Sequence, residues 1–239
     1  MYNTTNGEWK FTPNQYDLTF VQHGTSISQT YNGWTSFFGW ASSGYSTAAS
    51  EISNYSSQYG PECDISNTNH DWGQYNAISN GGNKPGMWRT LTIEEWHYVI
   101  AERPNSCNLI GPGYVNNVYG QILLPDNWVC PNDVTFNPTE YNYYSVEQWA
   151  KMENQGAVFL PAQGWRNMGV NEYGSYSSGS SPTYNSSSYH RIGDWGKYWS
   201  SSYSSASNAH CLMFYKGSNA YTSSELRQCG MAVRLVQDL

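Results

Sequence analysis

Hydrophobic positions recur with helical spacing in only two parts of this chain. From Thr92 to Arg103, Ile93, Trp96 and Ile100 stand at i, i+3 and i+7 and make one apolar face. Thr92 with Glu95 forms a capping box, in which side chains satisfy the first free backbone N–H groups of a helix. Pro104 ends the run, because proline cannot continue a helix. From Ser145 to Gln155, Val146, Trp149 and Ala150 share a face, Ser145 with Gln148 makes a second capping box, and Gly156 suits the C-cap. Elsewhere the apolar runs are short. ILLP (122–125) and AVFLP (157–161) end in proline, and CLMFY (211–215) and MAVRLV (231–236) have the length of buried strands. The final GMAVRLVQDL (230–239) reads as a well-patterned closing strand.

Residues 1–90 show no such regularity and are rich in Trp, Gly and Asn, as in FFGWASSGY (37–45) and DWGQYNAISNGG (71–82). No repeat of fixed period and no linker-like shift in composition divides the chain. Two helices among many short strands and long ordered loops predict one α+β domain over 1–239. Its parts are an irregular 1–90, a helix-containing frame at 91–170, and a Ser/Tyr-rich 171–239 with closing strands.

The polar positions of that last part are unusual. Tyr173 to Tyr189 reads YGSYSSGSSPTYNSSSY, and the bias returns in YWSSSYSSASNAH (198–210) and GSNAYTSSELRQC (217–229). Tyr offers large amphipathic contact area at low side-chain entropy cost, while Ser, Gly and Asn offer adaptable hydrogen bonds, which is the chemistry of a recognition surface. Ser/Gly-rich runs equally form flexible linkers. The frequency of Tyr and the folded-looking sequence on both sides favour recognition.

Composition narrows the classes further. Charged residues are 12% and aromatics 16% of 239 residues, with 11 Trp and 21 Tyr, the reverse of a disordered chain. A net charge of −7 without any Lys/Arg run argues against a nucleic-acid partner. No apolar stretch approaches the roughly 18 residues of a membrane span. The opening MYNTTNGEWKF has neither a basic nor an apolar leader region, so it does not read as a signal peptide. Its abrupt, strand-like start leads us to expect either residues upstream or delivery without a leader, as for a virion component.

Catalytic chemistry finds little support. There is no G-x-S-x-G elbow, H-E-x-x-H, phosphate loop or dinucleotide fingerprint, and His23, His70, His97, His190 and His210 are scattered. His70 and Asp71 are neighbours in sequence, which in extended chain points their side chains apart. Glu94 and Glu95 fall in a helix first turn, where carboxylates complement the macrodipole. Asp126 and Asn127 of LPDN read as a turn, since calcium needs about six or more oxygens and no acidic cluster adjoins them. No metal, cofactor or catalytic residue is expected. The five cysteines (Cys63, Cys107, Cys130, Cys211, Cys229) contain no C-x-x-C and read mostly as free, partly buried thiols. Cys107 with Cys130, or Cys211 with Cys229, remain possible pairs in an oxidising compartment.

Several ordered stretches carry a resemblance. WRTLTIEEWHYVI (88–100), ILLPDNW (122–128), VEQWAKMENQGAVFLPAQGWRN (146–167), YWSSS (198–202) and GMAVRLVQDL (230–239), preceded by WKFTPNQYD (9–17), resemble bacterial and phage proteins with the C-type lectin fold, of the human-gut Bacteroides type. More narrowly they resemble the variable proteins of diversity-generating retroelements. The resemblance covers nearly the whole chain. It implies two helices flanking a small antiparallel sheet, chain ends that pair near one another, and a C-terminal ligand-binding face. It also implies that adenines in AAC or AAT codons are replaced, reaching Asn, Ser, Tyr, His, Cys, Thr, Arg and others, but never Trp, Met, Lys, Glu or Gln.

On that implication, Ser204, Ser205, Ser207, Asn208, His210, Cys211, Tyr215, Ser218, Asn219, Tyr221, Ser223, Ser224 and Arg227 form the variable, ligand-binding set. Trp199, Met213, Lys216, Glu225, Gln228 and Met231 belong to the frame. The 171–191 stretch is longer than such a frame requires, and is either a second part of the binding face or an insertion. The sugar-binding motifs of animal C-type lectins are absent, so calcium-dependent sugar binding is not implied. The expected function is non-enzymatic recognition of a protein or glycan on a bacterial or host surface, by a chain that is extracellular, cell-surface or virion-associated. The rival readings are a fixed adhesin or structural protein and, from the same fold group, a formylglycine-generating enzyme using Cys211 and Cys229.

Overall fold

The computed structural model describes residues 1–18, 33–47, 60–168 and 187–238, so His23 and the Ser/Tyr-rich run from Tyr173 to Ser186 lie outside the described residues. Helix α1 (Trp72–Tyr75) is a single turn capped by Asp71, whose carboxylate accepts from Gly73 N at 3.1 Å. The same buried carboxylate accepts from Thr90 N and Thr90 Oγ1 at 2.8 and 3.0 Å and so ties α1 to strand β3 (Arg89–Thr90). Helix α2 (Ile93–His97) carries the predicted capping box and continues as a wider π-helical turn over Tyr98–Glu102. The regular helix expected to Arg103 is thus modified at its end. Arg103 is extended, as the residue before a proline must be. Its buried guanidinium turns inward to Leu124 O at 2.8 Å and Asp126 at 3.1 Å. Helix α3 (Ser106–Leu109) is short. Helix α4 (Val146–Glu153) shows the second capping box, and Gly156 follows it at φ +87°, in the left-handed region that favours glycine. Its buried stripe is Trp149 and Met152, while Val146 and Ala150 are exposed. The apolar face therefore lies further along the helix than its first residues indicated, because the sheet it covers meets it at Trp149 and Met152.

Among the described residues the strands form five small sheets rather than the single antiparallel one expected. Strand β1 (Tyr2–Asn3) pairs with β2 (Trp34–Thr35). A four-stranded sheet has the order β6 (Asn142–Tyr144), β4 (Ile110–Val115), β5 (Val118–Leu123), β7 (Val158–Pro161), with β6 parallel to β4. Strand β8 (Trp165–Met168) pairs with β9 (Ser187–His190). The C-terminal part makes the antiparallel sheet β10 (Trp195–Tyr203), β11 (Asn208–Tyr215), β12 (Tyr221–Leu226). The expected closing strand is divided. Met231 bridges Phe38, Ala232 bridges Tyr198, and only β13 (Leu235–Val236) forms a ladder, with β3. With Gly230 bridging Arg166, its residues find backbone partners on four different segments in turn, so no single ladder runs its length. Among the described residues each chain end pairs with another segment, β1 with β2 and β13 with β3.

The β10–β11–β12 sheet is covered on both faces. Trp199, Ala209, Cys211 and Met213 pack with Tyr2, Trp9, Phe38, Trp40, Trp72 and Met231. Tyr198, Leu212 and Phe214 pack with Trp96 of α2, Tyr119 and Leu160. The irregular N-terminal part is therefore one wall of the core. A third cluster joins α4 to the four-stranded sheet through Trp149, Met152, Ile122 and Phe159. Gly196 faces the Phe214 ring so closely that no side chain fits there.

Arg89 ties these parts at their rim. Its guanidinium forks onto Glu95 with two bonds of 2.7 Å and also reaches Asp238 at 2.8 Å, joining β3, α2 and the chain end. The Arg89 bonds hold the Glu95 carboxyl below its ordinary 4.5, against the opposing effect of burial. A carboxyl with a depressed folded-state pKa contributes stability above its unfolded pKa and loses it as pH falls through the folded value. Because Glu95 is 36% exposed, solvent screening limits this pair to about 1 kcal/mol. Arg89→Ala is expected to lower the urea-denaturation free energy by that amount at neutral pH, and the gap to the parent should close as pH falls below 4.5.

Candidate functional site

The backbone of β11 and β12 sets where each variable candidate goes. Residues Ser204, Ser205, Ser207 and Asn208 form the β10–β11 turn, where Ser204 N and Ser205 N donate to Asn208 O at 3.2 and 2.9 Å and Ser207 Oγ bonds Asn208 Oδ1 at 2.8 Å. Tyr215, Ser218 and Asn219 lie at the β11–β12 turn, which Gly217 allows at φ +91°. Ser218 Oγ accepts from Tyr215 N at 3.0 Å, and Tyr119 OH and Gln121 Nε2 donate to Tyr215 O and Ser218 O at 3.3 and 3.2 Å. The two turns stand at opposite ends of β11, separated by roughly 23 Å at the usual strand rise. They do not form one patch.

Edge strand β12 runs between them, and alternation divides its residues. Cys211 faces Ser223 and Met213 faces Tyr221 across the β11–β12 ladder, on the side of Trp199. His210 faces Ser224 on the side of Leu212 and α2. Tyr215 and Tyr221 are exposed, and Ser223, Ser224 and His210 are half-buried. Two of the thirteen candidates are interior. Cys211 is fully buried, and Arg227 is 2% exposed. Arg227 lies over the Trp40 ring at 4.8 Å and near Tyr203 at 5.6 Å, and donates to Ala206 O at 3.0 Å, Pro61 O at 2.9 Å and Gly60 O. Their burial has a local cause: the alternation of β11 turns Cys211 into the core, and Arg227 closes β12 onto the 60–61 segment. Of the frame residues, Trp199, Met213 and Met231 are buried, Glu225 and Gln228 are half-buried, and Lys216 is exposed at the turn. Ser200, Ser201 and Ser202, part of the polar bias, are also buried, bonding His210 O, Ser66 Oγ and Ile93 N through their hydroxyls.

Around the outer half of β12 the structure adds residues that the sequence pattern did not single out. Trp195 stacks on Tyr215 at 4.9 Å and meets Trp165 at 5.5 Å. Lys197, only 4% exposed, ion-pairs with Glu225 and lies 4.0 Å from the Trp165 ring centre. Half-buried Trp165 and Trp195 with exposed Tyr215 and Tyr221 thus make an aromatic rim above a buried ion pair. The available signal was the Trp-Gly-Lys run at 195–197, in which strand alternation puts Trp195 and Lys197 on one face. Rings with two χ angles over a packed base lose little entropy on binding, which suits such a rim to holding a ligand.

Among the described residues no three His, Cys, Asp or Glu side chains gather as a metal site, and no helix is long and apolar enough to cross a membrane. None of the five cysteines forms a disulfide, and Cys63, Cys107 and Cys130 are exposed. Burial pushes the Cys229 thiol up to about 12 and the Cys211 thiol higher still. No protein-family model, curated protein or solved structure matches the chain.

The division of the hairpin into interior and surface predicts an uneven response to substitution. Arg227→Ala strips three backbone carbonyls of their donor and is expected to cost about 2–4 kcal/mol, whereas Ser205→Ala, Asn219→Ala and Ser223→Ala should stay within about 0.5 kcal/mol. Denaturant midpoints across these four variants check the pattern.

Proposed function

We propose that this chain is a non-enzymatic recognition protein with a C-type-lectin-type fold, in which the C-terminal hairpin is the replaceable surface of a fixed frame. The observation that carries the reading is the exposure of the reachable residue types around that hairpin. Of the types that adenine-directed replacement of AAC or AAT codons never produces, Trp199, Met213 and Met231 are buried, Glu225 and Gln228 are half-buried and Lys216 is exposed. All the reachable candidates except Cys211 and Arg227 keep some exposed surface. Support for the fold reading comes from α2 packed on a three-stranded antiparallel sheet, α4 on a neighbouring one, and a C-terminal segment threaded between them. Affinity would rest on the aromatic rim of Trp165, Trp195, Tyr215 and Tyr221, with serines and Asn219 tuning the fit. The partner is a protein or glycan on a bacterial or host surface. With a net charge of −7, nucleic acid is not the partner.

A fixed adhesin is the second reading. It is favoured by the turn serines, since Ser205 and Ser218 spend their hydroxyls on hydrogen bonds within their own turns. Sequencing the locus from several isolates separates the two. Diversification requires substitutions concentrated at Ser204, Ser205, Ser207, Asn208, His210, Tyr215, Ser218, Asn219, Tyr221, Ser223 and Ser224, with Trp199, Met213 and Met231 constant. Constancy of the first group would leave the adhesin.

A cysteine enzyme is disfavoured by burial, because the thiolate is the nucleophile and a thiol held near 12 is protonated at neutral pH. A thiol reagent is therefore expected to label Cys63, Cys107 and Cys130 in the native protein, and Cys211 and Cys229 only after unfolding. Peptide mass mapping reads the difference. Fast native labelling of Cys229 would return the enzyme to consideration.

A further inference from the structure

A second aromatic surface lies on the four-stranded sheet, and its origin is local. Tyr114 of β4 and Tyr143 of β6 are register partners in the parallel pair, so their side chains rise from the same face. Their rings are parallel, with 1° between planes and centroids 5.0 Å apart. Tyr143 is 69% exposed, the most of any tyrosine among the described residues. Tyr141 leans edge-on against Tyr114 at 6.0 Å, and Tyr114 leans on buried Tyr119 at 5.4 Å, which anchors the row to the core. Such a ring held on a rigid base, with a face open to water, is ready to accept weakly polarised C–H groups against its negative quadrupole.

A groove of about 410 Å³ runs beside these rings, and its other walls carry Asn116, Asn117, Ser145 and Glu147. Asn116 and Asn117 form the two-residue turn between β4 and β5, both at positive φ of 49° and 63°. Glycine is the strain-free choice at the second of these positions, so the Asn117 amide is retained at a conformational cost that the turn itself does not require. Neither amide makes a side-chain hydrogen bond among the described residues. The Glu147 carboxylate, which accepts the Ser145 hydroxyl on Oε2 at 2.7 Å, lines the same groove. An aromatic platform, two free amides and a carboxylate around one groove match a pyranose ring, whose C–H face stacks while adjacent hydroxyls both donate and accept.

We propose that the Tyr114–Tyr143 groove is a saccharide-binding subsite, built from the frame and separate from the C-terminal hairpin. It needs no calcium and does not depend on the diversification reading. The test is saturation-transfer NMR of the full chain with the methyl glycosides of glucose, galactose, mannose and N-acetylglucosamine. Ring protons of at least one glycoside should be saturated, with affinity in the millimolar range expected of a single stacked sugar. Tyr143→Ala should weaken that binding roughly tenfold, as loss of one aromatic contact does, while Tyr143→Phe keeps the ring face and retains it. Asn117→Gly preserves the turn and should also weaken binding. The exposure of Tyr143 makes unfolding by these changes unexpected, and thermal melts of each variant verify it. Tyr221→Ala should leave the glycoside bound. Saturation of none of the four, binding undiminished in Tyr143→Ala, or binding lost in Tyr221→Ala alone would each overturn the proposal. The last outcome would move sugar recognition to the hairpin.

Discussion

Everything in the C-terminal half depends on a β-sheet that is buried on both faces. An antiparallel sheet ordinarily covers one face and leaves the other to water. Here Trp199, Cys211 and Met213 point into one hydrophobic cluster while Tyr198, Leu212 and Phe214 point into another. Burying both faces fixes the register of β10 and β11, because a slip by one residue would exchange every core side chain for its neighbour on the opposite side. It also removes the sheet faces from the surface. What the hairpin can present is confined to its two turns and the edge strand β12.

Several of the polar groups that this burial takes out of water are paired within the same layers, while the Trp72 and Trp96 indole N–H groups have no hydrogen-bond partner among the described residues. Trp199 Nε1 donates to Phe38 O at 2.7 Å and Trp40 Nε1 to Ser200 O at 2.9 Å, stitching the N-terminal segment to the sheet. Tyr198 OH reaches Pro161 O at 2.6 Å, and burial keeps that phenol protonated throughout the physiological range. Lys197 is neutralised by Glu225, and Arg227 lies against the Trp40 and Tyr203 rings with carbonyls around its fork. Buried cations are tolerated only when they are paired or hydrogen-bonded in this way. They couple β12 to the 60–61 segment and to the Trp165–Trp195 rim, so the edge strand is held firmly even though its outer residues are free to differ.

On the proposed reading, that arrangement separates stability from recognition. Side chains at the turns and along the outer side of β12 contribute little to folding, whereas their backbone positions are set by the layers beneath. A surface of this kind can carry different residues without disturbing its support. The tyrosine row on the neighbouring sheet is a different sort of surface, since Tyr114 and Tyr119 are packed into the frame and only Tyr143 and Tyr141 stand out from it.

Local signals carried the helices. The capping boxes at Thr92–Glu95 and Ser145–Gln148, the stop at Pro104 and the left-handed Gly156 depend on neighbours in sequence, and each was legible there. The apolar runs at 122–125, 157–161 and 211–215 were legible for the same reason, and they mark the end of β5, all of β7 and the second half of β11. Long-range pairing was not. That the closing segment bonds Phe38, Tyr198 and Thr90 in succession, that β6 joins β4 in parallel, and that Trp165, Trp195 and Lys197 meet beside Tyr215 all follow from contacts between residues far apart in the chain. The same limit explains Cys211 and Arg227. Residue type placed them with the surface serines, but exposure is set by which layer a strand face meets. By itself the sequence determined the residue types available for recognition and the helices of the frame. Only the tertiary structure decided which of those residues reach water, because covering a sheet on both faces is a property of the assembled layers and not of any one strand.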